Sequence, residues 1–187
     1  MEYLKKIITD NAIVRSEKIL DVKGFLNEQV DPVVMNKIGQ DFALQFRNYD
    51  FDAFITVEAS GIAPAIFASY HIDKPLIILK KEDDVKEGVE QKHCFSYTKN
   101  KEYYLSVSKE RITNQKFILI DDFLAEGNVV LNVKEMLENN GSSLLAAGIC
   151  ISKDFQNGYQ RLTEMGFDLY CQAQVKGLNP KSNKVLF

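Results

Sequence analysis

Residues 117–128 read Phe117-Ile118-Leu119-Ile120-Asp121-Asp122-Phe123-Leu124-Ala125-Glu126-Gly127-Asn128. Four apolar residues make a short buried strand, and the pattern ends it at two adjacent carboxylates. Residues 123–128 read as a turn. Residues 129–140 then carry Val130, Val133 and Leu137 on one helical face, and Gly141 closes that helix. Neighbouring acids repel, so at a strand end they need hydroxyl donors, a metal or full solvation. Gly127 lets another group approach the backbone closely, and Asn128 begins a helix whose free N–H groups suit an anion. Acceptors beside an anion cradle match a sugar phosphate. A solvated turn with an ordinary Asn cap is the alternative.

Outward from this unit the same alternation repeats. Asp31 and Pro32 start a helix over 31–48, with Met35, Ile38, Phe42 and Phe46 on one stripe. Strands follow at 53–57 and 75–80, with a helix from 62 to 70 between them. Beyond Gly141 come a strand at 144–151, a helix at 159–165 ending at Gly166, and a strand at 167–175. Strands alternating with helices predict an α/β fold with a mostly parallel central sheet covered on both faces. Residues 81–93 are almost wholly polar and suit a solvated loop, with a flap over a site as the sharper alternative. Residues 94–98 and 103–107 suggest an antiparallel hairpin. Residues 1–30 and 177–187 fall outside the alternation and suggest a cap over one end of the sheet. The expected organisation is one domain, 1–187, with a core of about 31–176.

The 187 residues carry 23 Lys and Arg against 26 Asp and Glu, a net charge of -3. No basic footprint for non-specific nucleic-acid binding results. With 45% hydrophobic residues the chain has material for a core, and a disordered global state is excluded. The three cysteines, Cys94, Cys150 and Cys171, share no CxxC spacing and read as reduced thiols. No apolar h-region or membrane-length stretch is present, so a cytoplasmic protein is expected. His71 and His93 lack partners at metal-ligand spacing, and the Walker, GxGxxG and HExxH patterns are absent.

Candidate ligand groups fall at three expected strand ends: Glu58-Ala-Ser-Gly61, Asp121-Asp122 with Gly127-Asn128, and Lys153. The segment from Phe117 to Asn128 resembles the phosphoribosyl-pyrophosphate motif of the type I phosphoribosyltransferases. Together with Val57-Glu-Ala-Ser-Gly-Ile-Ala-Pro64, Ile19-Leu-Asp-Val-Lys-Gly-Phe-Leu-Asn27 before Asp31-Pro32, and Lys153-Asp-Phe-Gln156, it is similar to the xanthine phosphoribosyltransferase family of bacterial purine salvage. The resemblance runs through nearly the whole chain. It implies the type I phosphoribosyltransferase fold, with the terminal segments as a small hood. It also implies transfer of 5-phosphoribosyl from the diphosphate donor (PRPP) to xanthine, giving XMP and pyrophosphate. Mg2+ is implied as a cofactor held mainly by the donor's own oxygens, and a homodimer as the assembly.

Carried onto this chain, Asp121 and Asp122 match the catalytic acids that accept from the ribose hydroxyls. Ala125, Glu126, Gly127, Asn128 and Val129 match the loop around the 5-phosphate. Ser60 and Gly61 match the pyrophosphate loop, and Leu20, Asn27 and Lys153 match the xanthine contacts. Taken alone, Leu20 reads as core, Asn27 as a helix end, Lys153 as a solvated side chain and Ser60-Gly61 as a helix cap. Glu126 stands where related loops carry a neutral residue, and a carboxylate facing a phosphate costs affinity unless it points outward or pairs with a cation. Position 128 is Asn rather than a hydroxyl residue or Gln. The alternatives in function are a hypoxanthine or guanine phosphoribosyltransferase and a non-catalytic PRPP-binding regulator.

Overall fold

The computed structural model describes residues 1–96 and 101–187. Helix α1 (Glu2–Asn11) leads into a small hairpin of β1 (Ile13–Val14) and β2 (Leu20–Asp21), then one π-helical turn at Lys23–Asn27. Next come α2 (Pro32–Phe46), β3 (Ala53–Val57), α3 (Ile62–Ile72) and β4 (Leu76–Glu82). Strands β5 (Glu90–Ser96) and β6 (Lys101–Val107) pair antiparallel, and residues 97–100 between them lie outside the described residues. The second half runs β7 (Lys116–Leu124), α4 (Asn128–Glu138), β8 (Ser143–Lys153), α5 (Gly158–Glu164) and β9 (Asp168–Val175). A hairpin of β10 (Gly177–Asn179) and β11 (Lys184–Leu186) ends the chain.

Seven strands form the central sheet in the order β5-β6-β4-β3-β7-β8-β9. The five from β4 to β9 run parallel, and the β5–β6 hairpin joins antiparallel along β4. Alternation within β7 explains why both faces are covered. Ile118 and Ile120 pack with Met35, Ile38, Phe42 and Phe46 of α2 on one face. Phe117 and Leu119 pack with Val133, Met136 and Leu137 of α4 and Leu162 of α5 on the other. The helix expected over 31–48 is α2, and Asp31 caps it by accepting from the Val33 and Val34 N–H groups. Gly141, at φ +71°, follows α4 as expected.

Two local readings need correction. The strand expected at 117–120 continues to Leu124, so Asp121 and Asp122 lie within β7 rather than at its end. Pairing with β8 holds it there, with Asp121 opposite Ile149 and Leu124 opposite Ser152. Polar residues inside a buried strand break the apolar pattern used to mark its end, which is common at functional sites. The polar stretch 81–93 is also not one loop. Lys81 and Glu82 extend β4, and Glu90 to His93 belong to β5, an edge strand whose charged side chains suit solvent.

The terminal segments meet each other. The Asn183 amide accepts from the Val14 N–H at 2.7 Å and donates to the Ala12 carbonyl at 3.2 Å. Leu4, Ile8, Val14, Leu20 and Leu178 join the apolar cluster on the α2 face of the sheet. This N-terminal region and the carboxyl ends of β7 and β8 come together over the site described next.

Candidate active site

The chain leaves β3 toward β4 on one side and later returns to lay β7 on the other. That reversal is a topological switch point, where the loops after neighbouring strands splay apart and leave room for a ligand. The two strands themselves are fastened together at this point. Thr56 Oγ1, fully buried, donates to the Ile120 carbonyl at 2.7 Å across the β3–β7 pair. Gly61, at the start of α3, fits against the same strand. A Cβ there would lie 2.4 Å from Thr56 Oγ1 and 2.9 Å from Asp121 Oδ1, so only glycine allows the approach. The loop ahead of it is tied outward by Glu58, which accepts from the Lys81 N–H at 2.6 Å and pairs with Lys80 Nζ at 3.5 Å. Gly61 thus stands beside Asp121, with Ser60 next to it in the chain.

Asp121 and Asp122 are 8% and 7% exposed. The Asp122 N–H donates to Asp121 Oδ1 at 2.9 Å. Burial, and then the neighbouring charge of Asp122, push the Asp121 carboxyl well above the usual carboxylate range, with Lys81 opposing weakly. Asn27, from the π-helical turn, donates through Nδ2 to Asp122 Oδ2 at 3.4 Å. Its Oδ1 is buried with no hydrogen-bond partner among the described residues. An unpaired buried acceptor costs about 1–3 kcal/mol, so this oxygen is poised for a donor that none of the described residues supplies.

The loop 125–127 turns on Gly127, whose φ of +80° lies in the left-handed region and which precedes the first residue of α4. Its underside rests on Gly158. The Gly158 N–H donates to the Ala125 carbonyl at 2.9 Å, and a Cβ on Gly158 would lie 2.3 Å from that oxygen. Glu126 is exposed and makes no ion pair among the described residues. A cleft of about 150 Å3 opens between this loop and the hairpin strand β6, lined by Tyr103, Asp121, Phe123, Ala125, Gly127 and Val129 among others. Burial pushes the Tyr103 phenol up to about 12.

Lys153 ends β8 on the other side of Phe123. Its Nζ donates to the Lys18 carbonyl at 3.0 Å and sits 5.1 Å from the centre of the Phe123 ring. Burial lowers its pKa, while the Asp122 charge works the other way. Leu20 lies two residues beyond Lys18 and is 6% exposed within the apolar cluster. The structure therefore gathers Asn27, Asp122 and Lys153, and separately gathers Gly61, Asp121 and the 125–129 loop, around the ends of β7 and β8. Thr56, Tyr103, Phe123 and Gly158 went unmarked in the sequence. Only Gly158 carried a signal: a glycine after Asn157 at the start of a helical pattern, where close backbone approach is a standing explanation.

A family model described as the phosphoribosyl transferase domain matches residues 33–160. The chain belongs to the phosphoribosyltransferase family. A protein of Staphylococcus epidermidis named xanthine phosphoribosyltransferase is 39% identical over 188 aligned positions, covering 99% of this chain and 97% of that protein. A Staphylococcus aureus protein of the same name has the same identity and coverage. Among solved structures, the adenine phosphoribosyltransferase of Thermoanaerobacter pseudethanolicus superposes with a TM-score of 0.75 at 18% identity, over 92% of this chain and 98% of that one. The adenine phosphoribosyltransferase of Trypanosoma brucei, solved with AMP, pyrophosphate and ribose-5-phosphate, gives 0.75 at 14% identity, over 91% and 79%. These likenesses establish the type I phosphoribosyltransferase fold.

Proposed function

We propose that this protein is a xanthine phosphoribosyltransferase. It transfers 5-phosphoribosyl from PRPP to xanthine, giving XMP and pyrophosphate in purine salvage. As the bond from C1 of the ribose to the pyrophosphate oxygen breaks, a bond from a xanthine ring nitrogen to C1 forms, and the proton on that nitrogen passes to solvent. Catalysis is mostly positioning and charge stabilisation around an oxocarbenium-like C1.

The observation that carries the reading is the convergence of Asn27 on Asp122 at 3.4 Å, from segments 95 positions apart, beside the 125–129 loop. Asp121 and Asp122 accept from the ribose hydroxyls. The N–H groups of 125–129 at the start of α4 hold the 5-phosphate, and Ser60 and Gly61 hold the pyrophosphate. Asn27 and Lys153 meet the polar edge of the base, and the side chain of Leu20 backs that end of the pocket. Xanthine has carbonyls at C2 and C6 and partial negative charge near neutral pH, which suit the Lys153 cation, and ring N–H groups from which the unpartnered Asn27 Oδ1 can accept.

Among the described residues no three His, Cys, Asp or Glu side chains form a metal cage. The buried carboxylates of Asp121 and Asp122 would supply protein oxygens to a magnesium ion that draws its remaining ligands from diphosphate oxygens and water. When bound it supplies charge neutralisation of the leaving pyrophosphate. The same reading makes the protein a cytoplasmic homodimer; no helix among the described residues is long and apolar enough to cross a membrane. The test is direct. Purified protein, magnesium, PRPP and each purine in turn should release pyrophosphate fastest with xanthine. Failure of every base to give release would sink the reading.

A further inference from the structure

Asn128 is shared between two cavities. It lines the cleft that holds Asp121 and the 125–127 loop, and it also lines a larger space of about 400 Å3 on the far side of α4, between β5 and α5. Arg161 of α5 lines only the second. From there Arg161 Nη1 donates to Asn128 Oδ1 at 3.1 Å. A guanidinium has five N–H donors and no acceptor, so the amide atom facing it must be the oxygen. The amide is planar, and the Nδ2 group is thereby turned away from Arg161. Nδ2 has no partner among the described residues.

We propose that Arg161 is a positioning residue for the phosphate subsite, which fixes the Asn128 amide so that Nδ2 serves as a side-chain donor to the anionic end of the sugar phosphate. The inference rests on the phosphate role given above to the 125–129 loop and adds to it a residue that never touches the ligand. It also accounts for Asn at position 128, where a freely rotating amide would present its oxygen to a phosphate as readily as its nitrogen. An Asn oxygen facing a phosphate repels it, so an uncontrolled amide is a poor substitute for a hydroxyl, and a donor-only neighbour removes the ambiguity.

The test measures binding of ribose 5-phosphate by calorimetry, apart from any turnover. Arg161→Ala should weaken it about tenfold, the lower end for one hydrogen bond to a charged group, while xanthine KM and the melting temperature stay unchanged because Arg161 is exposed. Arg161→Lys, which keeps a donor-only head, should recover part of the loss. In an Asn128→Ala background, Arg161→Ala should have no further effect. Wild-type affinity in Arg161→Ala overturns the proposal. An equal loss in both backgrounds overturns it too, because Arg161 then acts through its own charge. Failure of the wild type to bind ribose 5-phosphate at millimolar concentration refutes instead the phosphate assignment beneath it.

Discussion

The two halves of the site are built in different ways. The phosphate half is local: Asp121, Asp122 and residues 125–129 come from one strand, one turn and one helix start, with buried neighbours β3 and β8 on either side of the strand. The base half is assembled from afar. Asn27 and Lys18 come from the N-terminal segment and Lys153 from the end of β8; Asn27 is held by Asp122 at 3.4 Å, and Lys153 by the Lys18 carbonyl at 3.0 Å. Short-range geometry on a rigid sheet gives a site little freedom, and losses there fall on turnover and donor binding. A site assembled by few polar contacts is easier to alter, and changes there should move the choice of base.

The largest effect should come from Asp121→Asn. Losing a carboxylate beside the developing positive charge should lower turnover about a hundredfold, with xanthine binding changed far less. An unchanged turnover number would remove the acid pair from the mechanism. The same variant should gain stability. Asp121 holds its proton more tightly folded than unfolded, so its ionisation works against folding as pH rises above the ordinary value of 3.8. Asp121→Asn should therefore melt higher than wild type at pH 7, and the advantage should shrink as pH falls toward 3.8. A melting temperature that is lower at pH 7 would mean that Asp121 is stabilised by a partner rather than destabilised by burial.

Next in size is Gly158→Ala, which tests whether the phosphate loop depends on its support. The added Cβ meets backbone, the Ala125 carbonyl at 2.3 Å, so the loop itself must move. KM for PRPP should rise about tenfold or more, the cost of misplacing a binding group by a fraction of an ångström to an ångström. The KM for xanthine should hold. Equal losses for both substrates would show that the two halves are not separable.

How much of this was legible follows the same division. Asp121, Asp122 and Gly127 were readable because strand, turn and helix start are contiguous and their chemistry is visible at short spacing. Strand β7 was read too short, since two acids look like a terminus until the pairing with β8 is known. Gly61 showed as a possible helix cap, but its reason, a 2.9 Å approach to Asp121 Oδ1, is tertiary. Phe123 reads as one more apolar residue until Lys153 is seen over its ring. Lys153 was marked by its place at a strand end, but for Asn27 spacing said nothing, and only the family resemblance marked it. The Arg161–Asn128 bond links residues 33 positions apart and leaves no trace in sequence.

The base half predicts smaller, selective changes. Asn27→Ala should lower kcat/KM for xanthine about tenfold and for hypoxanthine less, because a buried donor or acceptor left unpaired costs about 1–3 kcal/mol only with the base that used it. Lys153→Ala should hurt both oxopurines, since a cation serves the carbonyl they share. If Asn27→Ala reduced every base equally, its bond to Asp122 would be structural and the specificity would lie elsewhere.

The smallest effect belongs to Glu126. Its position in the loop puts a carboxylate next to the 5-phosphate in sequence, but the side chain is exposed and has no ion pair among the described residues. Two charges in contact with water and further than about a Debye length apart, ~8–10 Å at physiological salt, barely interact, and closer ones are weakened by solvent. Glu126→Asn should therefore leave turnover unchanged and tighten PRPP by no more than about threefold at low salt, the gain fading as salt is added. A salt-independent gain would mean that the carboxylate turns inward when PRPP binds. A large loss of affinity would mean that Glu126 holds a cation against the diphosphate, and the phosphate half would then depend on a charged side chain as well as on its backbone N–H groups.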